Sequence, residues 1–260
     1  MYNGYHFHQN GTSVYNPFST LNALESQELQ YYWFQTGTPT FLVKLLKESD
    51  ADLGDIDGIQ LDSGMFGNYR AEADRPLPVI YQSGYLTIKD YDPQFRLYTL
   101  GYPNDEVKYG FLSFLTKDYM YIPREKSGLC IVDFAKDVLA GRPEEFVERL
   151  RTFKGMPYDL NNENERHYQV VLYLIFKLAG QYIDTEVRFA DGRADAVVKC
   201  PDYIYVFEFK YNKTAEEAMA QINEKGYVEP FAQDSRKLYK VAMNFSAETR
   251  NIDECLIEGA

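Results

Sequence analysis

Residues 191–213, DGRADAVVKCPDYIYVFEFKYNK, decide the fold. Residues 193–199 are rich in Ala and Val, residues 203–209 alternate aromatic with aliphatic side chains, and Pro201-Asp202 supplies a tight turn between them. The stretch therefore reads as a β-hairpin. Side chains alternate faces along a strand, so Tyr203, Tyr205, Phe207 and Phe209 share one face while Ile204, Val206, Glu208 and Lys210 share the other. An acid and a base together end an otherwise apolar row.

A four-residue turn over 200–203 pairs Lys199 with Ile204 and, counting outward, Asp195 with Glu208. Directly opposed residues stand roughly 5 Å apart at Cβ, and two carboxylates that close repel unless one keeps a proton or a cation lies between them. The arrangement asks for a divalent metal. Hard oxygen ligands suit magnesium or manganese rather than zinc, and no Cys or His in the stretch has ligand spacing. Lys210, two residues beyond Glu208 on the same face, is placed to orient a water or to stabilise negative charge developing on a phosphate. That is the chemistry of phosphodiester hydrolysis.

An Asp on one strand, Glu-x-Lys on the next, a preceding helix with a Glu and a following helix with a Gln together resemble the PD-(D/E)XK nuclease superfamily. The wordings NENERHYQVVLYLIFKLAG, GRADAVV, VFEFKYNKTAEEAMAQINEKGY and NFSAETRNI are similar to the nuclease module that follows an AAA-ATPase-like domain, and cover roughly residues 158–258. Ala194 stands where the superfamily name has Pro; the Asp is the ligand. The resemblance implies a restriction-endonuclease-like α-β-β-β-α-β core with a mixed sheet in an α/β (α+β) protein. It implies a predicted DNA nuclease using Mg²⁺ or Mn²⁺, with Asp195, Glu208 and the Phe209 carbonyl as metal ligands and Lys210 orienting the attacking water. Glu165, with Glu163 in reserve, is the helix Glu that points at the site, and Gln221 is the helix Gln that contacts metal-bound water or the scissile phosphate. Arg193 and Lys213 flank the hairpin as nucleic-acid contacts.

The 260 residues carry a formal net charge of -12, which opposes unspecific binding to a polyanion. The hairpin region is less acidic, with Arg188, Arg193, Lys199, Lys210 and Lys213 against Asp191, Asp195, Asp202 and Glu208. The many Tyr and Phe read as core rather than as a stacking surface, which would interleave Arg and Lys. Cys130, Cys200 and Cys255 are widely spaced and form no CxxC pair, which suits a reducing cytoplasm and argues against a zinc ribbon or an iron–sulfur cluster. No apolar run is long enough to cross a membrane and the N-terminus lacks a signal-peptide core, so a cytoplasmic protein is expected.

YNGYHF, VYNPFSTLNAL and YYWFQTGTPTFLVKLL resemble the tail of the AAA-ATPase-like domain, which makes residues 1–125 its lid-like or winged-helix-like region and implies an ATPase domain missing from this chain as a partner. No G-x-x-x-x-G-K-[ST] loop occurs, so no ATPase activity is expected of this chain. In this region Ser19 is a candidate cap for a helix through Leu29, and a second helix is expected over 40–47. Residues 54–78 read as loop with short edge strands, residues 85–102 as a hairpin about Asp92-Pro93, and 105–118 as a helix with an acidic first turn. Two further helices, 127–140 and 144–153, read as a linker over 126–157, leaving 158–260 as the nuclease-like domain.

The domain is expected to open with an amphipathic helix over 162–179, on which Glu165 and Gln169 share a face. Strands over 182–189 and the hairpin follow, then a helix over 214–225 capped by Thr214, and strands over 238–245 and 252–257. Two readings compete with catalysis. One is an inactive scaffold or recognition module that keeps the fold and couples to the ATPase domain; the other is a buried structural ion network of Asp195, Glu208 and Lys210, which apolar residues would replace at less cost.

Overall fold

A computed structural model describes residues 1–35, 40–48, 56–62, 64, 76–119, 127–152, 165–180, 186–188 and 194–260. The chain divides into two compact units, Met1–Leu115 and Thr116–Ala260.

The first unit contains α1 (Pro17–Ser26), α2 (Thr40–Glu48), β1 (Gln60–Asp62), α3 (Pro76–Gln82), β2 (Thr87–Asp92), β3 (Leu97–Gly101) and most of α4 (Asp105–Tyr119). The expected hairpin is present as β2–β3, and β1 joins it on the β3 side to make a three-stranded antiparallel sheet of order β1-β3-β2. Asp92 organises the turn by accepting the N–H groups of Gln94 and Phe95 on one carboxylate oxygen, at 2.8 and 3.0 Å. Val79, Ile80, Leu100, Val107, Phe111 and Leu115 are buried in this unit.

One expectation here is corrected. Ser19 is not the cap of α1: Asn16 is, its Oδ1 accepting the Ser19 N–H at 2.9 Å, with Pro17 at the first helical position. Asn16-Pro17 reads as a turn in isolation, yet an Asn cap followed by a Pro whose φ already matches the helix starts it three residues earlier. The helix also stops at Ser26, before Leu29, because Gln27 adopts a left-handed φ of 58°. Ser19 is instead buried and donates its hydroxyl to Glu106 Oε1 at 3.1 Å.

The second unit has α5 (Ser127–Leu139), α6 (Pro143–Thr152), α7 (Glu165–Ala179), β4 (Glu186–Arg188), β5 (Ala196–Lys199), β6 (Tyr203–Tyr211), α8 (Ala215–Glu224), β7 (Lys237–Ser246) and β8 (Asn251–Gly259). From α7 onward the order is α-β-β-β-α-β-β, the expected elements with the second strand of the expected last pair, β8, at the edge of the sheet. The five strands run β4-β5-β6-β7-β8, all neighbours antiparallel except the central β6–β7 pair, which is parallel and joined through α8. A parallel pair needs such a crossover.

β6 is buried along nearly its whole length because both faces of the sheet are covered. Tyr205 and Phe207 pack edge-on or tilted against Phe146 of α6, at 5.3 and 6.1 Å between centroids, and Phe207 meets Phe176 of α7 at 5.3 Å. The Tyr205 hydroxyl donates to the Val138 carbonyl near the end of α5 at 2.6 Å. On the other face Ile204 and Val206 cluster with Leu238, Tyr227 and Val228, while Ala218, Met219 and Ile222 of α8 close over Ala242.

α5 and α6, read as a linker, thus pack into the core of this unit. Their junction is fixed by Asp137, nearly fully buried, which pairs with Arg142 at 2.8 Å and with Arg149. Gly141 makes the junction possible: its φ is 67°, and a Cβ there would stand 2.3 Å from the Tyr203 ring.

Candidate active site

The β5–β6 register is the one the turn chemistry implies. Ala196 pairs with Phe207, Val197 with Val206, Val198 with Tyr205 and Lys199 with Ile204, and the Cys200 N–H donates to the Tyr203 carbonyl at 2.8 Å. Continuing the register by one residue sets Asp195 opposite Glu208. The Asp195 side chain also reaches β6 directly, its Oδ2 accepting the Phe209 N–H at 2.7 Å, which pins the carboxylate against that strand.

Glu208 is 1% exposed. A carboxylate this deep needs a compensating charge, and Lys210 Nζ stands 2.8 Å from its Oε1, itself mostly buried. Part of the cation that the two acids demand is therefore supplied by the chain. Both side chains lie on the face covered by α8, where cross-strand neighbours place Ala242 beside Glu208 and Asn244 beside Lys210. Along that face the apolar Ile204, Val206 and Leu238 give way to polar residues at the carboxyl ends of β6 and β7, the end at which open α/β sheets bind their ligands.

Gln221 lies on α8, over this face, and its Nε2 donates to the Tyr227 hydroxyl at 3.2 Å. Glu165 is the first residue of α7. Its side chain lies outside what the structure describes, as do Arg193 and Glu163. Lys213 is exposed at the corner between β6 and α8. Thr214 caps α8 as expected, accepting the Glu217 N–H at 3.1 Å.

Sequence reasoning passed over Asn244. It is buried, and its Oδ1 accepts the Lys213 N–H at 2.9 Å. Its signal was available: a lone Asn interrupts the apolar run Val241, Ala242, Met243, Phe245. Glu254, opposite Asn244 on β8, was also missed, and its Oε2 accepts the Ala215 N–H at 3.0 Å.

A pair of carboxylates from adjacent strands, one buried and one half-buried, is a hard-oxygen donor set that fits Mg²⁺ or Mn²⁺. Sulfur plays no part: burial pushes the Cys200 thiol, at the hairpin turn, up to about 12, so it stays protonated. Among the described residues no group of three or more His, Cys, Asp or Glu is gathered closely enough to hold a metal, so the pair is the donor set these residues offer.

Residues 163–255 match the PD-(D/E)XK nuclease superfamily. The match runs from the start of α7 into β8, with Asp195, Glu208 and Lys210 inside it, and leaves out α5 and α6, which the fold packs against the same sheet. The chain is also 30% identical over 271 residues to a protein of Azotobacter chroococcum mcd 1 named "Uncharacterized protein in vnfD 5'region". That alignment takes in 99% of this chain and 51% of the relative, so the chain spans about half the length of the curated relative it matches. No solved structure matches the chain significantly. Among the described residues no helix is long and apolar enough to cross a membrane.

Proposed function

We propose that this chain is a metal-dependent nuclease that hydrolyses phosphodiester bonds in DNA at the site formed by Asp195, Glu208 and Lys210. The observation that carries the reading is the Asp195 carboxylate accepting the Phe209 N–H at 2.7 Å, beside the buried Glu208, with the Lys210 ammonium 2.8 Å from Glu208. Asp195, Glu208 and the Phe209 carbonyl are the groups that would hold Mg²⁺ or Mn²⁺. Such an ion, when bound, supplies a water of lowered pKa and a clamp on the phosphate oxygens.

The chain's own groups do the rest. The Phe209 N–H fixes the orientation of Asp195, and burial keeps Glu208 from swinging into solvent. Lys210, tied to Glu208, holds its ammonium where it orients the attacking water and meets negative charge as it develops on the phosphoryl oxygens. No covalent enzyme intermediate is needed. Glu165 from α7 and Gln221 from α8 assist, and Arg193 and Lys213 contact the strand being cut. The wording of residues 1–125 further suggests an ATPase-like domain as partner.

The test is cleavage of mixed DNA and RNA substrates in Mn²⁺ by the wild type, Asp195→Ala and Lys210→Ala. The reading requires cleavage by the wild type alone. One feature favours the second reading, an inactive nuclease-fold scaffold or recognition module: the net charge of -12 repels a polyanionic substrate. Equal traces of cleavage in all three proteins would select it.

A further inference from the structure

The corner from β6 to α8 is pinned at four consecutive residues. Asn212 takes a left-handed φ of 52°, donates its N–H to the Phe245 carbonyl at 2.8 Å and accepts the Ala247 N–H on its side chain at 2.8 Å. Asn244 Oδ1 holds the Lys213 N–H, Thr214 caps the helix, and Glu254 Oε2 holds the Ala215 N–H. Thr214 satisfies one of the N–H groups left over at the start of α8 and Glu254 a second, so the Asn212 and Asn244 bonds are the ones that lie outside the helix's own needs. The other partners of the corner are the Phe245 carbonyl and the Asn244 side chain of β7 and the Ala247 N–H of the β7–β8 turn, and they fix the backbone of Lys213 relative to the strand that carries Glu208 and Lys210.

Asn244 is central to this. It is a polar side chain buried in an otherwise apolar strand, and it lies beside Lys210 in the parallel register while its oxygen holds Lys213. One residue thus stands beside Lys210 on the sheet and holds the backbone N–H of Lys213 at the corner. We infer that Asn244 is a positioning residue, which sets Lys213 as a contact for a backbone phosphate of the nucleic-acid strand lying across the Asp195–Glu208–Lys210 site. The inference rests on the nuclease reading above. The chemistry recognised is the phosphodiester backbone, which DNA and RNA share, so the contact carries no base preference.

The experiment is salt-dependent binding of a fluorescein-labelled DNA duplex to the full chain, followed by anisotropy, for the wild type, Lys213→Ala, Asn244→Ala and the double variant. Removing one phosphate contact lowers the slope of log Kd against log salt by about 1. Lys213→Ala is expected to show that drop, Asn244→Ala most of it, and the double variant no more than Lys213→Ala alone. A merely structural Asn244 lowers the melting temperature and leaves the slope where it was. Asn244→Ser keeps a polar group in the buried position without its reach, and is read in the same way if the alanine variant does not fold. An unchanged slope in the folded Asn244 variant, or in Lys213→Ala, overturns the inference while leaving the nuclease reading intact. Absence of salt-dependent binding by the wild type removes the nucleic-acid reading, and the inference with it.

Discussion

Replacing Phe146 by Ala tests whether the helices before the family match belong to the unit that carries Asp195 and Glu208. Phe146 is fully buried in α6 and stacks its ring against three others: Phe134 of α5 at 5.7 Å, and Tyr205 and Phe207 of β6 at 5.3 and 6.1 Å. The substitution removes a whole ring from beneath the central strand, and such truncations cost about 3–5 kcal/mol through lost transfer energy and the cavity left behind. At about 2–4 °C per kcal/mol for a unit of this size, the melting temperature should fall by roughly 6–20 °C. The assay is thermal unfolding of the full chain followed by near-ultraviolet circular dichroism, which reports the aromatic packing itself. The same reasoning predicts that a fragment of residues 158–260 is not stable alone, since it lacks the Phe146 ring and the Val138 carbonyl that accepts the Tyr205 hydroxyl. A shift of under about 2 °C, within what a surface substitution gives, would refute the account of α6 as core and restore it as a linker.

Two further outcomes follow from the same unit. Burial raises the Cys200 thiol to about 12, so iodoacetamide at neutral pH should leave it unmodified in the native chain and alkylate it on unfolding, as mass spectrometry of the Cys200 peptide would show; rapid native labelling would contradict its buried place at the hairpin turn. The Arg236 guanidinium beside Asp234, through its hydrogen bonds, holds that carboxyl well below the usual carboxylate range. A lowered folded pKa means that stability is present above the unfolded value of about 4 and lost as pH falls through the folded value, so Asp234→Asn should melt below the wild type at pH 7 and converge with it in strong acid. A gap that persists unchanged at the lowest pH would exclude this linkage.

Much of the second unit was legible because its signals are local. Pro201-Asp202 sets the turn, the turn sets the register, and the register brings Asp195 to Glu208; each step needs only neighbouring residues. Thr214 announced α8 in the same way. What the sequence hid depends on distant partners. Nothing near Phe146 says that its ring lies under Tyr205, so α5 and α6 read as a connection between domains. Nothing near Asn244 names Lys213, in the corner beyond the end of β6, as the N–H it holds. The loop expected over 54–78 overlaps the start of α3, where Pro76 and Pro78 fall in the first turn of the helix and a missing N–H is no loss. At α1 two adequate caps competed, and Pro17 decided for Asn16. Glu165 and Gln221 were named through resemblance; the structure adds the Tyr227 hydroxyl as a partner of Gln221.

The central claim is that Asp195 and Glu208 together hold a divalent cation. Calorimetric titration of Mn²⁺ into the wild type, Asp195→Ala and Glu208→Ala tests it most directly, because it reads the ion itself and not a product. Saturable, stoichiometric binding by the wild type that is lost in both variants is the predicted result. Binding that survives in both variants, or a wild type that takes up no ion, would contradict the account.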